Sequence, residues 1–260
     1  MTAIMPDSRR TRAPEVCAVV LAAGEGARLR PLTWVLPKPL CPVEGVPLID
    51  HALERARSAT SAIAVNVHHA RKAIEAHVDG RVHISVEEQE ALGTAGALGL
   101  LRPWIDGRPT LVLNGDTWCP GPLAAFVAGA DGTRVRLALA GPDELLGASS
   151  RIAAALMPWP EVARLAPVPS GLYEASWRAL ADSGEIDLVR WDGPCLDCGT
   201  PARYLAANLA ASGGTPVIGV GAQVDGELVR SVVWPGARVR RGERLVDTVR
   251  ASDDVTVLVR

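Results

Sequence analysis

Several things are scarce in this chain, and each scarcity narrows what it can be. No uninterrupted apolar run approaches the roughly eighteen residues that a membrane-crossing helix needs, so no membrane partner is expected. The opening stretch MTAIMPDSRRTRAPE is polar and arginine-rich, and no apolar signal-peptide core follows it. Residues 1–15 read as a disordered leader of a cytoplasmic protein. Positive charge is not in excess: the formal net charge is -2, so no general basic field points to nucleic acid, and any anion site has to be local. Cysteines number only five, at 17, 41, 119, 195 and 198. An odd count in a chain of this size does not build a disulfide framework. The one close pair, Cys195 and Cys198, lacks a second pair or suitably spaced histidines, so it does not read as a zinc site. Lysine is the scarcest useful residue: of 27 basic side chains only Lys38 and Lys72 are lysines.

What is present is an alternation of buried strands and amphipathic helices. VCAVVLA (16–22) is a continuous apolar run of strand length bounded by glycine, the pattern of a strand covered on both faces. PLIDHALERARSA (47–59) carries Leu48, Ala52, Leu53 and Ala56 on one helical face. Further strands are expected over 62–68, 82–88, 110–116 and 134–140, with helices over ARKAIEAHV and 93–104. This order predicts an α/β, Rossmann-like, doubly wound and mostly parallel sheet, with ligands beyond the carboxyl ends of its strands. Residues 141–169 are broken by Pro158, Pro160, Pro167 and Pro169, which predicts only short elements there. Residues 171–184 look like a strand end passing into a helix, and 200–214 like a helix stopped by Gly-Gly. After Gly214 short apolar steps recur at roughly five- or six-residue intervals with glycines between, the spacing of a short left-handed hexapeptide β-helix. A small antiparallel sheet is the other reading. The expected organisation is a leader (1–15), a main domain (16–214) and a coil-like extension (215–260) that would need capping, as by a second copy in a homo-oligomer.

The first strand runs into LAAGEGARLRPLTWVLPKPL (21–40). Gly24 and Gly26 leave room for backbone N–H groups to approach phosphate oxygens, although glycines alone would also suit a plain turn. Lys38 stands between Pro37 and Pro39, which fix the backbone and aim a compact cationic donor in one direction. Lys72 lies on a polar helix face and reads as a solvated charge.

At these residues a resemblance becomes specific. VVLAAGEGARLRPLTWVLPKPL resembles the signature of the sugar-1-phosphate nucleotidyltransferases, closest in motif to mannose-1-phosphate guanylyltransferase-like members. EEQEALGTAGAL (87–98), VLNGD (112–116) and LDCGTPARYLAAN (196–208) resemble the family's later segments in order and approximate spacing. The resemblance implies transfer of a nucleotidyl group from an NTP to a sugar 1-phosphate, with pyrophosphate as the other product. It implies nucleotide contacts from Leu21, Ala22, Ala23, Gly24, Gly26, Glu88, Gly93, Thr94 and Asn114. Arg28 would grip the triphosphate, Lys38 the phosphates at the reacting centre, and Asp116 and Asp197 would bind Mg²⁺ as cofactor. Glu88 would face the base, where a carboxylate suits guanine's adjacent N–H donors better than uracil's single one. GTP is therefore the first choice and UTP the second.

The chain also departs from the family. No lysine follows Lys72, so the family's Phe-x-Glu-Lys-Pro sugar-phosphate motif is missing. LMPWPEVARL (156–165) stands in its region with Glu161 and Arg164, while PSGLY (169–173) resembles the sugar loop and gives Gly171 a place in the pocket. Either Arg151 or Arg164 takes over from the lysine, or sugar binding has been lost. Two functions are open: an active transferase, and a catalytically weak nucleotide-binding subunit. Lys38 is expected to be exposed in a cleft, so that replacing it would cut turnover at little cost in stability.

Overall fold

A computed structural model describes residues 15–141 and 146–259; most of the expected leader lies outside the described residues. Seven strands form the central sheet: β1 (Cys17–Leu21), β2 (Ile63–Val67), β3 (His83–Val86), β4 (Thr110–Asn114), β5 (Val135–Ala140), β6 (Arg151–Met157) and β7 (Ile186–Trp191), in the order β7-β5-β6-β4-β1-β2-β3. All neighbouring pairs are parallel except the two that β6 makes, with β4 and with β5. The apolar runs follow from burial on both faces: β1 and β2 are almost wholly enclosed. Helix α1 (Leu48–Arg57) buries Leu48, Ile49, Ala52, Leu53 and Ala56. Helix α2 (Arg71–Val78) buries Ile74 and Val78, and α3 (Gly93–Ile105) packs on the opposite face with Ala95, Leu98 and Leu101.

The chain leaves β1 toward β2 and later returns to β4 on β1's other side. The sheet order therefore reverses between β1 and β4, and a crevice opens beyond their paired ends, Leu21 and Asn114. The backbones are close there. Gly115 N–H donates to Leu21 O at 2.8 Å, and a Cβ on Gly115 would lie 2.9 Å from that same oxygen.

The proline-broken region contains more order than the short elements expected of it. RIAAALM forms β6, seven residues long, because Pro158, Pro160, Pro167 and Pro169 all fall after Met157. Alanine-rich and preceded by two serines, it carries little strand signal of its own and is held by pairing on both edges. Residues 173–182 are helical from the start, with no strand end before them, and β7 is a further strand that the periodicity did not reveal.

Beyond the Pro201–Ala211 helix the chain winds through short strands that stack in three parallel ladders. Val217–Ile218 pairs with Val232–Val233 and that with Thr248–Arg250; Gln223–Val224 pairs with Arg238–Val239; Glu227–Val229 pairs with Arg244–Val246. Thr256–Leu258 turns back antiparallel onto Thr248–Arg250 and covers that edge within the chain. These coils are not packed apart from the rest. Val217, Val232, Trp234 and Val249 share one core with Leu29 and Leu32 of the loop after β1, with Cys41 and Cys198, and with Tyr204. The Trp234 indole N–H donates to Tyr204 Oη at 2.9 Å, and that hydroxyl donates in turn to Pro42 O. Trp234→Ala removes the largest side chain from this joint and is expected to cost about 3–5 kcal/mol. Thermal unfolding should record the loss, and Cys41 and Cys198 should become reactive to a thiol reagent in native buffer.

Candidate active site

The loop after β1 closes over Lys38. Gly26 adopts a left-handed conformation (φ 69°), and a Cβ there would come within 2.9 Å of Lys38 Cβ. The glycine is therefore required by the lysine stem that packs against it. A Cβ on Gly24, by contrast, would meet no protein atom within 4 Å, which leaves its backbone open to an approaching ligand. Lys38 begins a short 3-10 turn capped by Pro37 and containing Pro39.

Contrary to expectation, Lys38 is buried, with 6% of its surface accessible. Its Nζ donates to Asp116 Oδ2 at 2.7 Å and to Asp197 Oδ1 at 3.3 Å. Asp116 follows β4, and Asp197 lies in the two-residue strand Leu196–Asp197, which pairs with Thr117–Trp118. The ammonium thus joins two carboxylates from distant segments. Burial alone would lower the lysine pKa, but Asp116 and then Asp197 outweigh it and hold the group above its ordinary value. Asp197 shows the converse. Burial would raise its pKa, yet Lys38 and Arg203, the latter at 2.8 Å, bring it below the usual carboxylate range. The lysine's contribution to stability is fully present below its free value of about 10.4 and is lost as pH rises through the raised value. The Asp197 contribution is present above about 3.9 and fades as pH falls through the lowered value. The clamp is intact across the neutral range.

Arg28, Lys38, Asn114, Asp116, Arg151, Asp197 and Arg203 line a cavity of 710 Å³. A second cavity of 210 Å³ is lined by Leu21, Thr94, Asn114, Gly171 and Glu174. The two share Asn114, Ser150 and Ile152 and form one crevice. Arg28, Lys38, Asp116 and Asp197 are thus brought together in one cavity, and Leu21, Thr94, Asn114 and Gly171 meet beside them.

Other expected residues lie elsewhere. Glu88 is exposed, its side chain 71% accessible and paired with Arg71 at 2.9 Å, and it lines neither cavity. Glu161 is half-buried, accepts from Ser176 Oγ at 3.2 Å and pairs with Arg164 away from both cavities. The reason is topological: Glu161 follows the far end of antiparallel β6, at the opposite edge of the sheet. Gly93 (φ 69°) meets the chain rather than open space, since a Cβ there would stand 2.6 Å from Ser170 O. Gly96 and Gly99 admit the 166–168 backbone in the same way.

The sequence reading did not single out Asn66 or Glu87. Asn66, the polar residue in the middle of β2, accepts from Ala22 N–H at 2.8 Å and donates to Glu87 Oε1 at 2.7 Å. Glu87, 2% accessible, accepts from Leu92 N–H at 2.8 Å through its other oxygen. One relay of hydrogen bonds thus ties the end of β1 to the 87–98 segment. A lone asparagine inside an apolar strand was the available signal, because a buried amide needs partners.

No metal is described, but the carboxylates suit one. Asp116 and Asp197 stand side by side at the cavity wall, both bonded to Lys38 Nζ, and a pair of carboxylates suits Mg²⁺, which takes one or two and completes its shell with phosphate and water. Among the described residues no group of three or more His, Cys, Asp or Glu is placed to hold a metal by itself. The cysteines are free and buried, and burial pushes the Cys41 and Cys198 thiols up to about 12, so neither is a resting nucleophile. Among the described residues no helix is long and apolar enough to cross a membrane.

The mostly parallel sheet, with its order reversing beside a crevice, places the protein in the α/β class. Residues 17–140 match the family described as Nucleotidyl transferase. The chain is 33% identical over 235 residues to an N-acetylmuramate alpha-1-phosphate uridylyltransferase of Caulobacter vibrioides, covering 76% of this chain and 97% of that protein. It is 40% identical over 133 residues to a mannose-1-phosphate guanyltransferase of Schizosaccharomyces pombe, covering 45% of this chain and 36% of that longer protein. In fold it is similar to a UDP-glucose pyrophosphorylase from Acinetobacter baumanii, with a TM-score of 0.62 at 16% identity over 75% of this chain and 92% of the other. The chain belongs to the sugar-1-phosphate nucleotidyltransferase family and is a nucleotidyltransferase.

Lys38→Met removes the cation between Asp116 and Asp197 and leaves only Arg203 on Asp197. The two aspartate side chains are 38% and 30% accessible, so the loss is discounted for solvent screening to about 1–3 kcal/mol at neutral pH. Denaturant titrations at pH 7 should show that deficit.

Proposed function

We propose that the protein transfers a nucleoside monophosphate from GTP, with UTP as second choice, to a sugar 1-phosphate, and that Mg²⁺ assists. The observation that carries this reading is the crevice lined by Arg28, Lys38, Asp116, Asp197 and Arg203 at the reversal point of the sheet. In the reaction a phosphate oxygen of the acceptor bonds to the α-phosphorus, and the bond to the bridging oxygen breaks, releasing pyrophosphate. No covalent enzyme intermediate is needed, so the work is charge neutralisation and alignment. Arg28 faces the triphosphate and takes up charge on the leaving pyrophosphate. Lys38 holds Asp116 and Asp197 together at the reacting centre. Mg²⁺ bound by these two carboxylates would neutralise charge on the phosphates. The open backbone at Gly24 and the Asn66-anchored amide of Ala22 form the floor on which the nucleotide lies.

Preference for GTP is supported by the likeness of residues 87–98 to guanylyltransferases and by the fission-yeast relative; the Caulobacter relative, a uridylyltransferase by name, supports UTP. Pyrophosphate release over a panel of NTPs and sugar 1-phosphates tests the whole reading: turnover is expected with GTP foremost, and no turnover with any pair would sink it. Glu88→Gln should leave the order of NTP preference unchanged, since the side chain pairs with Arg71 outside both cavities; a reordered preference would return base reading to Glu88.

We also read residues 215–260 as a short left-handed β-helix through which two copies associate. Support comes from its accessible apolar side chains, Ile218 at 54%, Val220 at 88% and Leu258 at 54%. Sedimentation equilibrium should return a dimer, and Val220→Glu should shift it toward monomer.

A further inference from the structure

The family's contiguous Glu-Lys pair has no counterpart after Lys72, yet the crevice holds Arg151 and Glu174, neither of them ion-paired among the described residues. Arg151 is the first residue of β6, the one antiparallel strand of the sheet. Because β6 runs backward, its start lies at the edge where β4 and β5 end; Arg151 is paired with Ala140, the last residue of β5. The same reversal carries Arg164 to the far edge, where it is ion-paired with Glu161. Arg151 lines the larger cavity with Asp116, Cys195 and Asp197. Lys38 and Arg203 in that wall are committed to the carboxylates, whereas among the described residues no carboxylate lies within 4.0 Å of Arg151.

The smaller cavity has a complementary feature. Glu174 lines it beside Thr94, Asn114, Ser150 and Tyr173, and among the described residues no cation lies within 4.0 Å of its carboxylate. Gly171 makes room for it, since a Cβ there would collide with Glu174 Oε2. A carboxylate amid neutral walls accepts hydrogen bonds from hydroxyl and amide N–H groups and repels another anion.

Resting on the transferase reading above, we propose that Arg151 holds the phosphate of the acceptor and Glu174 holds its sugar. Two separate segments thus do the work of the missing Glu-Lys pair. Arg151 remains charged throughout and moves no proton; it fixes the phosphate whose oxygen attacks the α-phosphorus. The acceptor class that follows is a neutral sugar 1-phosphate, a hexose or N-acetylhexosamine, in preference to one bearing a carboxylate.

Steady-state kinetics with glucose, mannose, N-acetylglucosamine and N-acetylmuramate 1-phosphates tests this. Arg151→Ala should raise the acceptor KM by about tenfold or more while the NTP KM stays within about twofold, and Arg151→Lys should recover part of the loss. Glu174→Gln should narrow the gap between the neutral acceptors and N-acetylmuramate 1-phosphate. An unchanged acceptor KM in Arg151→Ala, an equal rise in both KM values, or wild-type preference for N-acetylmuramate 1-phosphate over every neutral sugar would overturn the assignment. Calorimetric titration with the same four compounds separates the two readings. If the wild type turns over no pair, the transferase reading fails. Binding lost in Arg151→Ala would still support the phosphate subsite, and absent or unaltered binding would refute it.

Discussion

One buried ammonium between two carboxylates organises this protein. Asp116 and Asp197 are far apart in sequence and of like charge, and without Lys38 they would separate toward solvent. Held together, they stand side by side at the crevice wall, both bonded to Lys38 Nζ. Much of the local chain conformation serves that clamp. Pro37 and Pro39 fix the turn carrying the lysine, Gly26 gives way to its stem, and the short pairing of Leu196–Asp197 with Thr117–Trp118 brings the second aspartate alongside the first. The scarcity of lysine acquires a reason here. The clamp needs a compact cation that fits under a loop and touches two acceptors at once, which a planar guanidinium does less well.

The parts of this arrangement that depend on short local patterns were legible in the sequence. Buried parallel strands leave continuous apolar runs, so β1, β2 and β4 stood out, and the loop that follows β1 carried enough unusual residues to be recognised. Properties set by distant partners were not legible. Lys38 read as an exposed cleft residue because its burial is created by a loop before it and by carboxylates far downstream. Strand β6 was hidden because RIAAALM has weak strand propensity and is made a strand by its neighbours on both edges. The same reversal of direction explains why Glu161 and Arg164, adjacent in sequence to where the family's motif belongs, end at the wrong edge of the sheet. Glu87 and Glu88 differ by one position along the chain, and only the fold shows which is enclosed with Asn66 and which faces Arg71.

Glycines illustrate how one residue type serves several ends. Gly24 leaves space for a ligand, Gly26 for a lysine stem, Gly115 for a neighbouring carbonyl, and Gly93, Gly96 and Gly99 for a chain crossing helix α3. The last three set the height of residues 166–170 above the helix, and so the position of the wall that Gly171 and Glu174 contribute to the smaller cavity. Close backbone contact leaves little slack, so differences in acceptor choice among relatives built this way would have to come from side chains in that wall.

The shared core of loop and coils bears on how the protein comes into being on the ribosome. Leu29 and Leu32, in the loop after β1, emerge well before Val232, Trp234 and Val249, which enclose them. Contacts of such sequence separation form late in folding. A growing chain can therefore pair β1 with β2 and β4 well before the loop above them has anything to close against. The loop after β1 is synthesised well before the residues that enclose it and takes its shape only once they have emerged.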